Sequence, residues 1–519
     1  MMPISRRPLL GLAAAAAATA ALPREAQAAD RFVYANNSNF DTLDPHVVFD
    51  TARVAVRLNF YDGLYRWVDN PPKLIPWLAE SHETSADGLD WVFRLRRDVK
   101  FHDGSPMTAE DVVYSIERIL ALNLGAAPLF RPLLEPGATT AVDAHTVRFR
   151  LKEPSAIFGS LVPDITVVNS KLVKRNEKEG DWGRAWLARN VAGTGSFRLR
   201  RYDPAVGFIA QRFPDHFAGW GPKYLDEIEF RTVLETNTRV LGMIRGDYHG
   251  TDGYMTPDQI DRFRASDTVQ ILEQESMRVF HFCIHNDRAP MNDIHFRKAL
   301  VHAFDYDGFI NDVLKGSVVR NPTIIPNNMW GAPQGLEGYK FDLELAKAEL
   351  AKVKAPLRPI TIGTLAGFSE TEQAASVFQA NLRKIGIEAR IESAPWPTVS
   401  SRMRNKDQQY DMVPYWKSTY YADPNNWLGE LYGSRYLGGG NVSYYSNPEV
   451  DKRIERALVS TDQEERQRLN EEAARMVFDD AAGVWIYNTK WFGPYSKRIA
   501  GIRFCPVGSG QDMRWAHFA

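Results

Sequence analysis

The chain has 519 residues, a formal net charge of −1 and 12 % aromatic residues, among them 13 Trp, 20 Tyr and 27 Phe. That length can fill two or three hydrophobic cores, and the supply of rings suits a sizeable binding cleft as well as those cores. The near-neutral balance, with no basic run interleaved with aromatics, argues against nucleic acid or an anionic membrane surface as a partner.

At the N-terminus, Ser5-Arg6-Arg7-Pro8-Leu9-Leu10-Gly11 forms a twin-arginine pattern, followed by an Ala-rich run to Leu22 and by Ala26-Gln27-Ala28. This predicts a twin-arginine-type export signal over residues 1–28, cleaved after Ala28; the paired arginines also fit the basic part of a general secretory signal. The apolar run is too short and too weakly hydrophobic to span a bilayer, and no later stretch reaches the required length. Without residues 1–28 the net charge becomes −3. The expected product is an exported protein with no stable membrane insertion, and no Cys directly follows the signal to carry a lipid.

Residues 32–35 read as a first strand. Ala86-Asp87-Gly88 is turn chemistry, and residues 89–95 then alternate, with Leu89, Trp91, Phe93 and Leu95 on one face. His102-Asp103-Gly104-Ser105-Pro106 closes a loop. Thr108 to Asp111 is a near capping box with Asp in place of Glu or Gln, and Val112, Val113, Ile116, Ile119 and Leu120 give the helix it starts one apolar face. Gly193-Thr194-Gly195 lacks the third glycine of a dinucleotide fingerprint and reads as a turn before a strand.

Further strands are expected at 227–233, 279–284, 359–364 and 389–392. Helices are expected at 341–353, 371–385, 399–405, 448–459 and 464–478, the last opened by a Thr461 to Glu464 capping box. The pattern is α/β.

His281, Cys283 and His285 alternate along the 279–284 strand and so share one face. Their side-chain types ligate zinc or copper, yet same-face neighbours about 7 Å apart on a straight strand converge poorly on one ion. Packing is the simpler reading; a metal-handling or enzymatic use of the three stays as the alternative. The chain has no Gly-x-Ser-x-Gly elbow, Walker A loop, His-Glu-x-x-His helix or Cys-x-x-Cys pair. No catalysis and no cofactor are therefore expected. Cys283 and Cys505 lie in apolar runs, and the sequence leaves open whether they pair.

Residues 416–427 are aromatic, polar and Pro-punctuated, which predicts a loop carrying exposed rings. Trp416, Thr419, Tyr420, Asp423 and Trp427 are candidate ligand-binding residues there. Asp423 suits either the counter-charge of a bound cation or the cap of a turn.

The 78–120 run resembles the signature of the dipeptide, oligopeptide and nickel solute-binding proteins that feed ABC importers. The resemblance extends to Leu43-Asp44-Pro45-His46, Tyr61-Asp62-Gly63-Leu64, Gly193-Thr194-Gly195-Ser196-Phe197, residues 293–305 and Asp423-Pro424-Asn425-Asn426-Trp427. It implies a two-lobed α/β periplasmic binding protein fold. Lobe I would comprise 30–70, 190–279 and 486–519, with an inserted subdomain at 71–189, and lobe II would comprise 280–485. It further implies a monomeric, non-catalytic periplasmic receptor that closes on a peptide-like or other small polar solute and docks on permease subunits. Phe49, Asp50, Tyr254, Asn286, Trp396 and Arg404 join the candidates because they fall in segments flanking the interlobe space of the family. Peptide-binding relatives keep an ammonium-binding Asp a few residues after the Trp, where this chain has Thr419 or Tyr420. That departure leaves the solute open among peptides, modified peptides, oligosaccharides, opine-like conjugates and metal chelates.

Overall fold

The computed structural model describes residues 31–49, 54–221, 223–253, 255–508 and 511–519. The expected signal and its cleavage site, Asp50 and Tyr254 lie outside the described residues.

Two α/β lobes are built on one continuous hydrogen-bonded sheet system. In the first, Arg31–Asn36 runs parallel to Glu227–Thr232 and to Gly250–Thr251, and Glu227–Thr232 continues antiparallel into Gly207–Arg212 and then Phe197–Asp203. Phe32, Phe40, Phe60, Phe208 and Phe230 fill its core. In the second, Ile360–Leu365 runs parallel to Ala389–Ala394 and to Met412–Lys417. Phe282, Phe304, Phe378, Ile362 and Leu382 pack beneath the helices Ile294–Ala303 and Ser369–Lys384.

Two long antiparallel strands, Val269–Ile284 and Gly483–Ser496, belong to both lobes. The first pairs with Met412–Lys417 over residues 279–284, and the second pairs with Gly250 through Tyr495. Their shared ladder loses register between Glu275 and Val279 and again between Phe280 and His281. A break in the ladder lets a strand pair bend. The strand extends ten residues N-terminal of its predicted start because Gln270, Glu273, Gln274 and Glu275 conceal the apolar alternation.

A separate antiparallel sheet, in the order Ala79–Thr84, Asp90–Leu95, Thr146–Leu151, Leu134–Asp143, carries the helix Ala109–Leu122. Phe93 and Leu95 are buried as the alternation requires. Asp111 Oδ2 accepts from the Thr108 N–H at 2.9 Å and its hydroxyl at 3.1 Å, while Oδ1 accepts from the Ser170 N–H and hydroxyl. The short side chain at the end of the capping box therefore ties the helix start to a second helix. This unit also meets the second lobe: the Ala156 N–H donates to the Leu458 carbonyl at 2.6 Å, and Arg435 pairs with Glu153 at 2.7 Å.

The signature residues of the first lobe are scaffold. Asp44 accepts from Arg118 through both oxygens, both side chains fully buried, and Arg118 also reaches His46 Nδ1 at 3.0 Å. Asp62 accepts from Trp77 Nε1 at 2.6 Å, Thr194 Oγ1 at 2.8 Å and Arg66 at 3.2 Å. Gly193 and Gly195 lie so close to the backbone of Phe60 that a Cβ at either would fall within 2.5 Å of it, which accounts for the glycines flanking Thr194. His102 donates its Nε2–H to the Gly195 carbonyl at 2.9 Å, and Asp103 closes its own turn onto Ser105.

Three local expectations are corrected. The helix Gln463–Asp479 is capped by Asp462, whose carboxylate accepts from the N–H groups of Glu464 and Glu465, and not by Thr461. The segment 416–427 is not one loop: Trp416 and Lys417 end a strand, and Pro424–Asn426 is a 3₁₀ turn. Trp427 is fully buried instead of exposed, because the turn folds its ring into the core. Cys283 and Cys505 are both free.

Candidate functional site

Parallel α/β sheets bind ligands beyond the carboxyl ends of their strands. In the second lobe those ends lead into residues 366–370, into Pro395 and Trp396, and into 418–423. In the first lobe they lead into 37–49, 233–235 and 252–253. The lobes meet across this space: the ring of Phe49 stacks on Tyr420 at 5.0 Å with an interplanar angle of 28°. The Arg57 guanidinium covers Phe49 at 5.0 Å and pairs with Asp164 at 2.7 Å, fixing the ring from behind.

On the second lobe, Trp416 is partly buried, tilted against Phe280 at 5.0 Å and near Phe368 at 5.9 Å, with the Arg278 guanidinium 5.8 Å from its ring. Trp396 and Phe368 are each 43 % exposed, and Trp396 stacks on Tyr415 at 6.0 Å. Thr419 is buried, and its hydroxyl has no hydrogen-bond partner among the described residues. The Tyr420 N–H donates to Asn426 Oδ1 at 3.1 Å, which sets the loop that presents its ring.

Other candidates serve the lobe itself. Asp423 caps the 3₁₀ turn by accepting from the Asn425 N–H at 3.0 Å, and its second oxygen accepts from Arg466 at 2.5 Å. Asn286 donates to the carbonyls of Ile284, Ser443 and Ala482. Arg404 reaches back one turn to the Ser400 hydroxyl at 2.6 Å. His281 is buried against Tyr415 while His285 stacks on Tyr444, and among the described residues no group of three or more His, Cys, Asp or Glu side chains is placed to hold a metal ion.

Four residues around Trp416 escaped the sequence reading: Arg278, Phe368, Glu370 and the buried Tyr487. Phe368 and Glu370 begin a helix, and Arg278 and Tyr487 sit on the two long strands. Only the topology brings them beside Trp416. The Tyr487 hydroxyl donates to Glu370 at 3.2 Å, and burial raises the Glu370 carboxyl above the ordinary range, partly opposed by that bond and by Arg278.

Two α/β lobes joined by a breakable strand pair, with aromatic loops facing each other across the joint, define a receptor that closes around a small solute. The model for the middle region of bacterial extracellular solute-binding proteins, family 5, matches residues 73–438. The chain is 32 % identical over 511 residues to the "Probable D,D-dipeptide-binding periplasmic protein DdpA" of Escherichia coli strain K12, covering 97 % of both chains. It is 27 % identical to heme-binding protein A of Haemophilus influenzae, over 94 % of this chain and 93 % of that protein. Among solved structures, the DppA periplasmic binding protein of Helicobacter pylori in complex with the peptide STSA superposes with a TM-score of 0.81 at 23 % identity, covering 94 % of this chain and 98 % of that one. The chain belongs to the family 5 bacterial extracellular solute-binding proteins.

Proposed function

We propose that this protein is the periplasmic receptor of an ABC importer for a short peptide or peptide-like solute. It is exported by the signal over residues 1–28, cleaved after Ala28, and acts as a monomer that hands its solute to permease subunits. The observation that carries this reading is the stack of Phe49 on Tyr420 across the joint whose strand ladder breaks at residues 275–279. A ring contact that bridges the two lobes favours their closed arrangement, so it can be coupled to solute binding. The near full-length likeness to a protein named for D,D-dipeptides supports the solute class. The division into lobe I (30–70, 190–279, 486–519), inserted subdomain (71–189) and lobe II (280–485) fits the hinge position. The site comprises Phe49, Trp396, Trp416, Thr419 and Tyr420 with Arg278, Phe368, Glu370 and Tyr487; the sequence adds Asp50 and Tyr254 as candidates.

Native mass spectrometry of the purified protein, followed by titration with L,L- and D,D-dipeptides, tests the reading. A peptide recovered unchanged, together with compaction in solution scattering on its addition, is the expected result. Recovery of a non-peptide solute, or turnover of the bound peptide, overturns it.

A further inference from the structure

The second lobe carries several carboxylates, and their partners separate them. Asp423 is held by the buried Arg466, Glu430 by Lys417 at 2.5 Å, and Glu392 by Arg402 at 3.2 Å. Glu370 differs. It follows the carboxyl end of the strand Ile360–Leu365, and among the described residues its carboxyl takes one hydrogen bond, from Tyr487, and makes no direct ion pair, the Arg278 guanidinium acting on it only from beyond contact distance. Its bonding partner Tyr487 stacks on Phe280 at 4.9 Å, and Phe280 in turn lies against Trp416.

We propose that Glu370 is the specificity residue of this cleft and takes the cationic amine of the solute, with Trp416 and the half-exposed Phe368 covering the charge. A partly buried carboxylate with one neutral donor, and with the Arg278 guanidinium near but not in contact, is under-satisfied, and an ammonium group supplies a direct counter-charge and further donors. Indole and phenyl faces attract the same cation. The assignment also explains how the chain does without an acidic side chain at Thr419 and Tyr420: the charge is supplied from the end of the neighbouring strand. This inference rests on the peptide reading above and names the solute group that the cleft selects.

The test is calorimetric titration of the wild type and of Glu370→Gln with L,L- and D,D-alanyl-alanine, each free and N-acetylated. Gln keeps an acceptor for Tyr487 and nearly the same shape, so the fold is retained; equal melting curves check this. The wild type should prefer the free amine at least tenfold, and Glu370→Gln should lose that preference by weakening the free dipeptide alone. Glu370→Asp, which keeps the charge, should retain part of it. A wild type that binds free and acetylated forms equally overturns the assignment without touching the peptide reading, and needs no variant. A preference that survives in Glu370→Gln also overturns it. Failure of all four probes to bind the wild type defeats the peptide reading, and the assignment falls with it.

Discussion

Asp423 and Arg466 form an ion pair at 2.5 Å in which both side chains are less than a tenth exposed. Arg466 also donates to the Ala457 carbonyl and lies over Trp330 at 4.9 Å, so the pair ties the 418–426 segment to the helix Gln463–Asp479. Asp423 thus shapes the loop that presents Tyr420 without itself reaching for solute.

Replacing Asp423 with Asn should therefore act on stability. Asn caps a turn as well as Asp does, but it strands the buried Arg466 charge, and losing one member of such a pair costs about 3 kcal/mol. Urea denaturation should show the loss, and titration with alanyl-alanine should show unchanged affinity. A large fall in affinity at constant stability would place Asp423 on the solute instead.

The two tryptophans of this region should separate in the same way. Trp427 is fully enclosed, so Trp427→Ala should destabilise the protein by about 3–5 kcal/mol. Trp416 is partly open to the cleft, so Trp416→Ala should weaken peptide binding by about 2 kcal/mol and leave a cooperative melt. Interchanged outcomes would mean that the cleft runs on the other side of this segment.

Closure has its own probe. Since Phe49 and Tyr420 come from different lobes, Tyr420→Ala removes a ring contact between them. The ring pair contributes about 1 kcal/mol beyond burial, so the variant should release bound peptide severalfold faster with little change in melting temperature. Stopped-flow displacement measures the rate. An unchanged release rate would show that closure is held elsewhere, for example by Arg435 and Glu153.

How much of this was legible beforehand depends on the range of the interaction. The 89–95 alternation, the Thr108–Asp111 cap and the apolar helix faces are local patterns, and the structure has them within a few residues. The strand Val269–Ile284 was half hidden, because its N-terminal part is polar and owes its conformation to pairing with Gly483–Ser496. Phe49 and Tyr420 emerged as separate candidates, but nothing local announces that residues so far apart stack. Glu370 looks in sequence like any first-turn glutamate. Conversely, the most recognisable residues, Asp44, His46, Asp62, Gly193 and Gly195, turn out to hold the scaffold together.

The buried histidines give a pH prediction. His46, His102 and His281 ordinarily titrate near 6.5; burial, reinforced by Arg118 at His46 and by Lys417 at His281, lowers His46 and His102 to about 4 and His281 to about 3. In the unfolded chain each takes up a proton as pH falls through 6.5, whereas in the folded protein each stays neutral until much lower pH. The unfolded state therefore gains protons first, and stability is lost from pH 6.5 down toward 4, by up to about 1.4 kcal/mol per pH unit for each group. The urea midpoint should fall steeply over this window. His281 offers the sharpest check, because neither ring nitrogen has a hydrogen-bond partner among the described residues. His281→Leu removes both the titration and the unsatisfied atoms, so it should leave stability at pH 7 equal or higher and reduce the pH slope by one group's share. An unaltered slope would show that His281 is protonated or solvated in the folded protein.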